Sequence, residues 1–187
     1  EMLKGAEHNM GQLEDEVKSR INLFCMDMTD FSLGQKYNLV IITFRAFLHN
    51  LTIEEQLTTL ARIKDHLKPD GVLAFDLFVP LYGVMAQDVW HDKIEQDELA
   101  EEQSGISVDI KVEHKAEEQL LTIENTYRNE IEKSTHSAIM TYRYVFRYEM
   151  EALLRCAGFK VTEIYGGFDN EPYDFKSGIM VFIAELE

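Results

Sequence analysis

The sequence predicts an α/β fold: a parallel sheet with a crossover helix, interrupted late in the chain by an antiparallel β insertion. Two observations carry that reading. Between Ile21 and Phe78, three short apolar runs are punctuated by polar or acidic residues. They are Ile21–Met26 before Asp27, Tyr37–Phe44 before Arg45, and Val72–Phe78, interrupted by Asp76. Apolar runs of this length, rich in β-branched or aromatic residues, suit strands buried on both faces. The second observation is an amphipathic helix between the second and third runs, from about Thr52 to Leu67. Leu57, Leu60, Ala61, Ile63 and Leu67 recur at helical spacing, with Lys64 as the polar intruder. Thr52 is its N-cap, and Glu55 three residues on completes a capping box. Lys68-Pro69-Asp70-Gly71 then gives a stop signal and a turn. Strand, helix, strand in that order makes a right-handed parallel crossover. Such sheets bind ligands beyond the carboxyl ends of their strands. Asp27, Phe44, Arg45, Asp76 and Phe78 are all expected at that edge.

The remaining elements follow in order. Residues 1–20 read as a helix with Met2, Leu3, Ala6, Met10, Leu13 and Val17 on roughly one face, weakened by Gly5 and Gly11. From Leu81 to about Gln103 the chain turns acidic, with a short helix through Tyr82–Trp90. Three alternating segments come next. One runs through Ile106, Val108, Ile110 and Val112, and another through Leu121, Ile123, Asn125 and Tyr127. In the third, Ala138, Met140, Tyr142, Tyr144, Phe146 and Tyr148 oppose Thr141, Arg143 and Arg147. Polar breaks near Glu117-Glu118 and Glu132–Ser134 make this an antiparallel meander, strands about 106–147. Glu149–Ala157 is a short helix closed by Gly158. Lys160–Tyr165 and Ile179–Leu186 are strands flanking a loop that carries Tyr173.

Composition narrows the function classes. Hydrophobic residues at 45% and charged residues at 28% describe an ordinary globular chain, long enough for a real core. No apolar run is long enough to span a bilayer, and no signal-peptide pattern occurs. A net charge of -16 argues against a nucleic-acid partner, because phosphate binding needs clustered Lys and Arg. Cys25 and Cys156 lie in apolar contexts and read as buried thiols rather than disulfide or metal ligands. That usage fits a reducing, cytoplasmic location.

The order and spacing of these segments resemble a class I S-adenosylmethionine-dependent methyltransferase. CMDMTDF is similar to the acidic end of that family's third strand, and YNLVIITF to its fourth. LKPDGVLAFDLF is similar to its Leu-Lys-Pro-Gly-Gly turn and fifth strand, with Asp70 where the family usually has Gly. LLRCAGFKVTEIYGGFD resembles its last helix, Ala-Gly-Phe stop and sixth strand. The resemblance implies a Rossmann-like sheet from residues 1–80 and 148–187, with 81–147 as a substrate-side insertion. It also implies S-adenosylmethionine as cofactor and an oxygen, nitrogen or carbon of a small molecule as methyl acceptor. Glu1-Met2-Leu3 resembles the end of the family's Asp-x-Ser-x-Glu-Met-Leu, whose Asp would precede Glu1. The Gly-rich loop of the first strand has no counterpart, since Gly5, Gly11 and Gly34 are isolated. The expectation is therefore a piece of a larger methyltransferase domain. Alone, it would bind the cofactor weakly, lack activity, or form a homo-oligomer through bared sheet edges.

The resemblance assigns roles residue by residue. Asp27 would accept from the adenine amino group and the Met28 backbone N–H would meet a ring nitrogen; the other reading of Asp27 is a solvated loop carboxylate or turn cap. Met2 would pack on the adenine face or simply in the core. Phe44, Arg45 and His49 follow the fourth strand, where the family's loop runs past the methionine moiety. Arg45 could bind an acidic group on the substrate or form a surface ion pair. His49 could accept a proton from the acceptor or merely flank a helix. Phe78, Tyr82, Trp90, Tyr144 and Tyr173 are candidate substrate contacts. A loop anchor is the stronger of the two readings of Trp90, and the tyrosine-rich face is more often sheet core than a cage for a cation. Two other functions stay open: a catalytically silent binding or oligomerisation module, and a nucleotide-binding oxidoreductase. The latter shares the strand–helix alternation, but its dinucleotide fingerprint does not occur.

Overall fold

The crossover helix begins where its spacing requires. In the computed structural model of the protein, which describes residues 2–94 and 105–187, helix α3 spans Ile53–His66. The Glu55 N–H donates to Thr52 Oγ1 at 3.1 Å, and the Thr52 N–H donates to Glu55 Oε2 at 3.1 Å. Two of the helix's orphan donors are thereby satisfied reciprocally. The helix joins β1 (Tyr37–Ile42) to β2 (Leu67–Phe78), which pair in parallel. The predicted turn at Lys68–Gly71 lies inside β2 instead. Tyr37 pairs with Leu67 and Leu39 with Val72, so Lys68, Pro69 and Asp70 bulge outward and are exposed. Gly71 returns the chain to the ladder; a Cβ there would lie 3.0 Å from the Tyr37 carbonyl oxygen. Only a residue without a side chain lets the two backbones approach so closely.

Strands β7 (Phe159–Tyr165) and β8 (Ile179–Leu186) complete this sheet in the order β1-β2-β8-β7. Strand β8 is antiparallel to both neighbours. Helix α5 (Arg147–Cys156) lies with α3 against one face, and Gly158 closes it at φ 82°. Leu60 and Ile63 of α3 and Met150 and Leu154 of α5 meet Leu73, Phe75, Leu77 and Phe182 of the sheet in one core. The Phe75 ring stacks on Phe182 at 5.3 Å and tilts against Phe47 at 5.5 Å. The opposite face is less covered. Leu39 and Ile41 are 50% and 59% exposed, so β1 is not buried on both faces as its apolar run predicts.

The N-terminal elements depart further from expectation. Helices α1 (Met2–Gly11) and α2 (Asp15–Lys18) form, but none of their apolar residues is fully buried. Ile21–Met26 is not a strand, and Leu23, Phe24 and Met26 are exposed. An isolated strand leaves its ladder donors and acceptors unpaired, and no described strand lies alongside to pair them. The segment is tethered downstream. The Leu33 N–H donates to His66 Nε2 at 2.9 Å, and Phe31 packs on the His66 ring at 4.6 Å. Cys25 is exposed with this segment, and Cys156 is exposed at the end of α5, so neither is a buried thiol.

A second sheet comprises β3 (Val89–Ile94), β4 (Ile106–Lys115), β5 (Leu120–Asn129) and β6 (Ser134–Arg143), antiparallel in that order. The meander is as the alternation predicts, with β3 added. The helix expected through Trp90 stops after one turn, α4 (Tyr82–Met85), and Trp90 instead pairs with Val112. The rest of the acidic stretch, 95–104, lies outside the described residues. The alternation that runs on to Tyr148 also misleads, because β6 ends at Arg143 and α5 begins at Arg147. Among the described residues, no helix is long and apolar enough to cross a membrane.

Arg143 fastens the second sheet to the helices of the first. Its side chain is 5% exposed. Nη1 donates to Gln56 Oε1 of α3 at 3.0 Å, and Nη2 donates to Glu149 Oε1 of α5 at 2.7 Å and to Gln119 Oε1 at 2.9 Å. Arg143→Leu strands Gln56 Oε1 without its donor and leaves the Glu149 carboxylate only the Gln119 amide. It should cost roughly 2–4 kcal/mol, slightly under the usual range for a broken buried pair because Glu149 keeps some water contact. Urea denaturation of both proteins checks this, and a shift below about 0.5 kcal/mol would match a mere surface substitution.

Candidate active site at the carboxyl edge

Strand β1 hands the chain into a tight reversal. Phe44 and Arg45 have φ of 57° and 59°, consecutive left-handed residues that both carry Cβ atoms. Each such residue costs roughly 1–2 kcal/mol, and strain of this kind collects at functional sites. The fold holds it from three sides. The Arg45 N–H points at Asp76 Oδ1 (3.4 Å) on β2, and the Leu48 N–H donates to the Arg45 carbonyl at 2.9 Å. Phe47 and Leu48, in the 3₁₀ turn Ala46–His49, are fully buried anchors. The reversal leaves Phe44 85% exposed, while Asp76 is buried at 5% exposure.

His49 leaves the same turn and reaches the second sheet. Its Nδ1 lies 3.2 Å from the Thr141 carbonyl oxygen on β6. A carbonyl only accepts, so Nδ1 carries a hydrogen, which in the neutral form of the ring leaves the lone pair on Nε2. The ring packs on Tyr142 at 4.6 Å, and Tyr142 meets Phe78 edge-on at 6.0 Å. Arg45, His49, Asp76 and Phe78 therefore meet Thr141 and Tyr142 at one edge. Sequence reasoning did not single out Tyr142 or Thr141 individually, because their contact needs the two sheets to dock. Asp76 was legible as the lone carboxylate in an apolar strand.

The other predicted residues go elsewhere. Asp27 and Met28 line a shallow cleft of about 370 Å³ with Leu3, Phe24, Met26 and Phe31, and no carboxyl-edge residue lines it. The Asp27 carboxylate is solvent-exposed, and its Oδ1 accepts from the Thr29 hydroxyl at 2.6 Å and the Thr29 N–H at 2.8 Å. These bonds hold its pKa below the usual carboxylate value, the hydroxyl most strongly. Met2, at 92% exposure, does not line this cleft. Tyr144 is corrected outright. It is 3% exposed in the core of the second sheet, its hydroxyl 3.1 Å from His114 Nε2, so a substrate cannot reach it. Burial pushes its pKa up, as does Glu149, while Arg143 opposes. Trp90 packs against the same core, Tyr82 stacks on Phe175 at 5.1 Å, and Tyr173 lies under Arg147 beside β7. Burial likewise pushes Tyr173 up.

The fold recurs in solved structures. The CcbJ methyltransferase from Streptomyces caelestis superposes with a TM-score of 0.78 at 18% identity, over 87% of this chain and 66% of that one. An S-adenosylmethionine-dependent methyltransferase from Clostridium acetobutylicum does so at 0.80 and 14% identity, over 99% of this chain and 71% of that one. The fold is that of the class I S-adenosylmethionine-dependent methyltransferases. The sugar N-methyltransferase KedS8 from Streptoalloteichus is similar at a TM-score of 0.58 and 20% identity, over 87% and 61% of the two chains. The chain thus spans about two thirds of the length of these methyltransferases. No protein-family model and no curated protein sequence matches it.

Two predictions come from this geometry. Arg45→Gly should leave stability within about 1 kcal/mol, because glycine tolerates the left-handed turn, whereas Arg45→Val should lose more than that. Thermal melting of the pair checks the strain. Thr29→Val should raise the Asp27 carboxyl toward its ordinary value, read from its side-chain carbon shift against pH.

Proposed function

We propose that the protein takes part in methyl transfer from S-adenosylmethionine to a nucleophilic nitrogen or oxygen of a small molecule, with His49 as the base. The observation that carries this reading is the tethered imidazole. Its Nδ1 hydrogen is engaged by Thr141, and Nε2, which makes no hydrogen bond among the described residues, can accept a proton. A base of this kind is useful where the acceptor is a protonated amine or a hydroxyl.

The cofactor fits the residues present. The cleft beside Asp27 offers the apolar side chains of Leu3, Phe24 and Met26 to a purine ring. Thr29 occupies only Oδ1 of Asp27, leaving Oδ2 to accept from an exocyclic amino group. When bound, S-adenosylmethionine supplies a methyl group on a sulfonium with a good neutral leaving group. The chain's own residues have the remaining work. Asp27 and Met28 would hold the adenine end, and Phe44 would cover the methionine end and exclude water. Arg45 would bind an acidic group on the acceptor, and Phe78 would face its body. Alignment of acceptor, methyl carbon and sulfur then supplies most of the acceleration.

The test is transfer of a radiolabelled methyl group from S-adenosylmethionine to a panel of small amines and alcohols. His49→Gln should lower the rate by about 10²–10⁴-fold, the usual worth of a positioned base. It should leave S-adenosylhomocysteine binding unchanged. Asp27→Ala should weaken that binding by ~1–3 kcal/mol, the loss of a charge-assisted hydrogen bond. Saturation-transfer NMR reads the binding even when it is weak. Wild-type rates in His49→Gln would remove the base, and wild-type binding in Asp27→Ala would remove the adenine assignment.

A further inference from the structure

A cavity between the two sheets is left unused by this reading. It measures about 210 Å³ and lies between Phe78 of β2, Val84 and Met85 of α4, and Val112, Leu121 and Ile123 of the second sheet. No charged, hydroxyl or amide side chain lines it. Its rim includes Leu81, which is 59% exposed, so a solute can enter there. An apolar lining favours hydrocarbon over water, and an enclosed apolar cavity of about 150 Å³ holds benzene. A six-membered ring with a short substituent is the matching occupant.

The cavity also has a direction. Phe78 forms part of its wall, and the edge of the Phe78 ring meets Tyr142, which packs on His49. A ring seated against Phe78 would carry a heteroatom on a short chain toward the edge where Nε2 of His49 stands. We infer that the cavity holds the aromatic or alicyclic ring of the methyl acceptor, so that the protein selects an amine or alcohol on an apolar body over an amino sugar. The inference rests on the methyl-transfer reading for its chemistry. An apolar wall offers a sugar hydroxyl nothing to bond to, and a buried polar group without a partner is disfavoured.

Trp90 supplies a reporter. It is the sole tryptophan, the cross-strand partner of Val112, and it packs against the residues around the cavity. Titration of the chain with benzylamine and with cyclohexylmethylamine should shift its emission saturably, at least tenfold more tightly than with glucosamine. Equal binding of glucosamine, or no saturation by either ring amine, would overturn the inference. Val84→Phe fills the cavity and should weaken the ring amines tenfold or more with an unchanged far-ultraviolet spectrum; unchanged affinity in a folded variant counts against the site. Should that variant not fold, methyl NMR of the parent decides. The Val84, Val112, Leu121 and Ile123 methyls should move with benzylamine and stay put with glucosamine, and unmoved methyls with benzylamine sink the idea. None of these measurements needs a methyl donor. Ring-amine binding without methyl transfer would refute the transfer reading alone, and transfer to amines without ring preference would refute the ring site alone.

Discussion

Strand β2 is paired on both sides, with β1 in parallel and β8 antiparallel, and everything else takes its position from that double pairing. Every second side chain along the strand faces the helices, so Leu73, Phe75 and Leu77 go to the core. The intervening residues face the other way. Asp76 and Phe78 are therefore neighbours on one face, at the strand's carboxyl end. Asp76 holds the reversal that follows β1, and Phe78 touches both hydrophobic clusters. A one-residue slip of β2 would exchange the two sets and remove the core and the candidate site together.

The second sheet owes its place to contacts that are polar as well as apolar. Arg143 is buried, and its guanidinium is shared among Gln56, Gln119 and Glu149, which belong to three separate parts of the chain. A planar group with donors in several directions suits such a junction better than an ammonium would. The neighbouring backbone at Thr141 then holds His49, and Tyr142 fills the space between His49 and Phe78. Structural and candidate functional contacts adjoin along β6: Thr141 and Tyr142 serve the edge, and Arg143 serves the clasp.

The two halves of the expected cofactor site are held with different rigidity. The carboxyl edge is built on buried Phe47 and Leu48 and on a strand bonded at both sides. The Asp27 cleft is formed by an irregular segment whose apolar residues remain largely exposed, tethered through His66. Both His66 nitrogens are engaged, Nε2 by the Leu33 N–H and Nδ1 by the Arg62 carbonyl at 2.6 Å, which fixes a neutral structural imidazole. His49 differs in being exposed and in having one nitrogen engaged among the described residues, and those differences separate a candidate base from a structural residue.

The sequence by itself determined the elements whose signals are local. The capping box at Thr52 and Glu55, the helix after it, the Gly158 stop and the alternating strands of the meander need only neighbouring residues to be recognised. It also placed Arg45, His49 and Phe78 near strand ends, because a strand's end is where its apolar run stops. Tertiary structure decided what depends on a partner. Ile21–Met26 has the composition of a strand, but a strand exists only when another supplies its ladder. Trp90 and its neighbours became β3 because β4 offered a free edge. Tyr144 and Arg143 follow the same alternation, yet packing buries both, Tyr144 in the hydrophobic cluster with Val112 and Leu121, and Arg143 in a hydrogen-bond network with α3 and α5. Side-chain periodicity says which residues share a face; only packing says what that face meets.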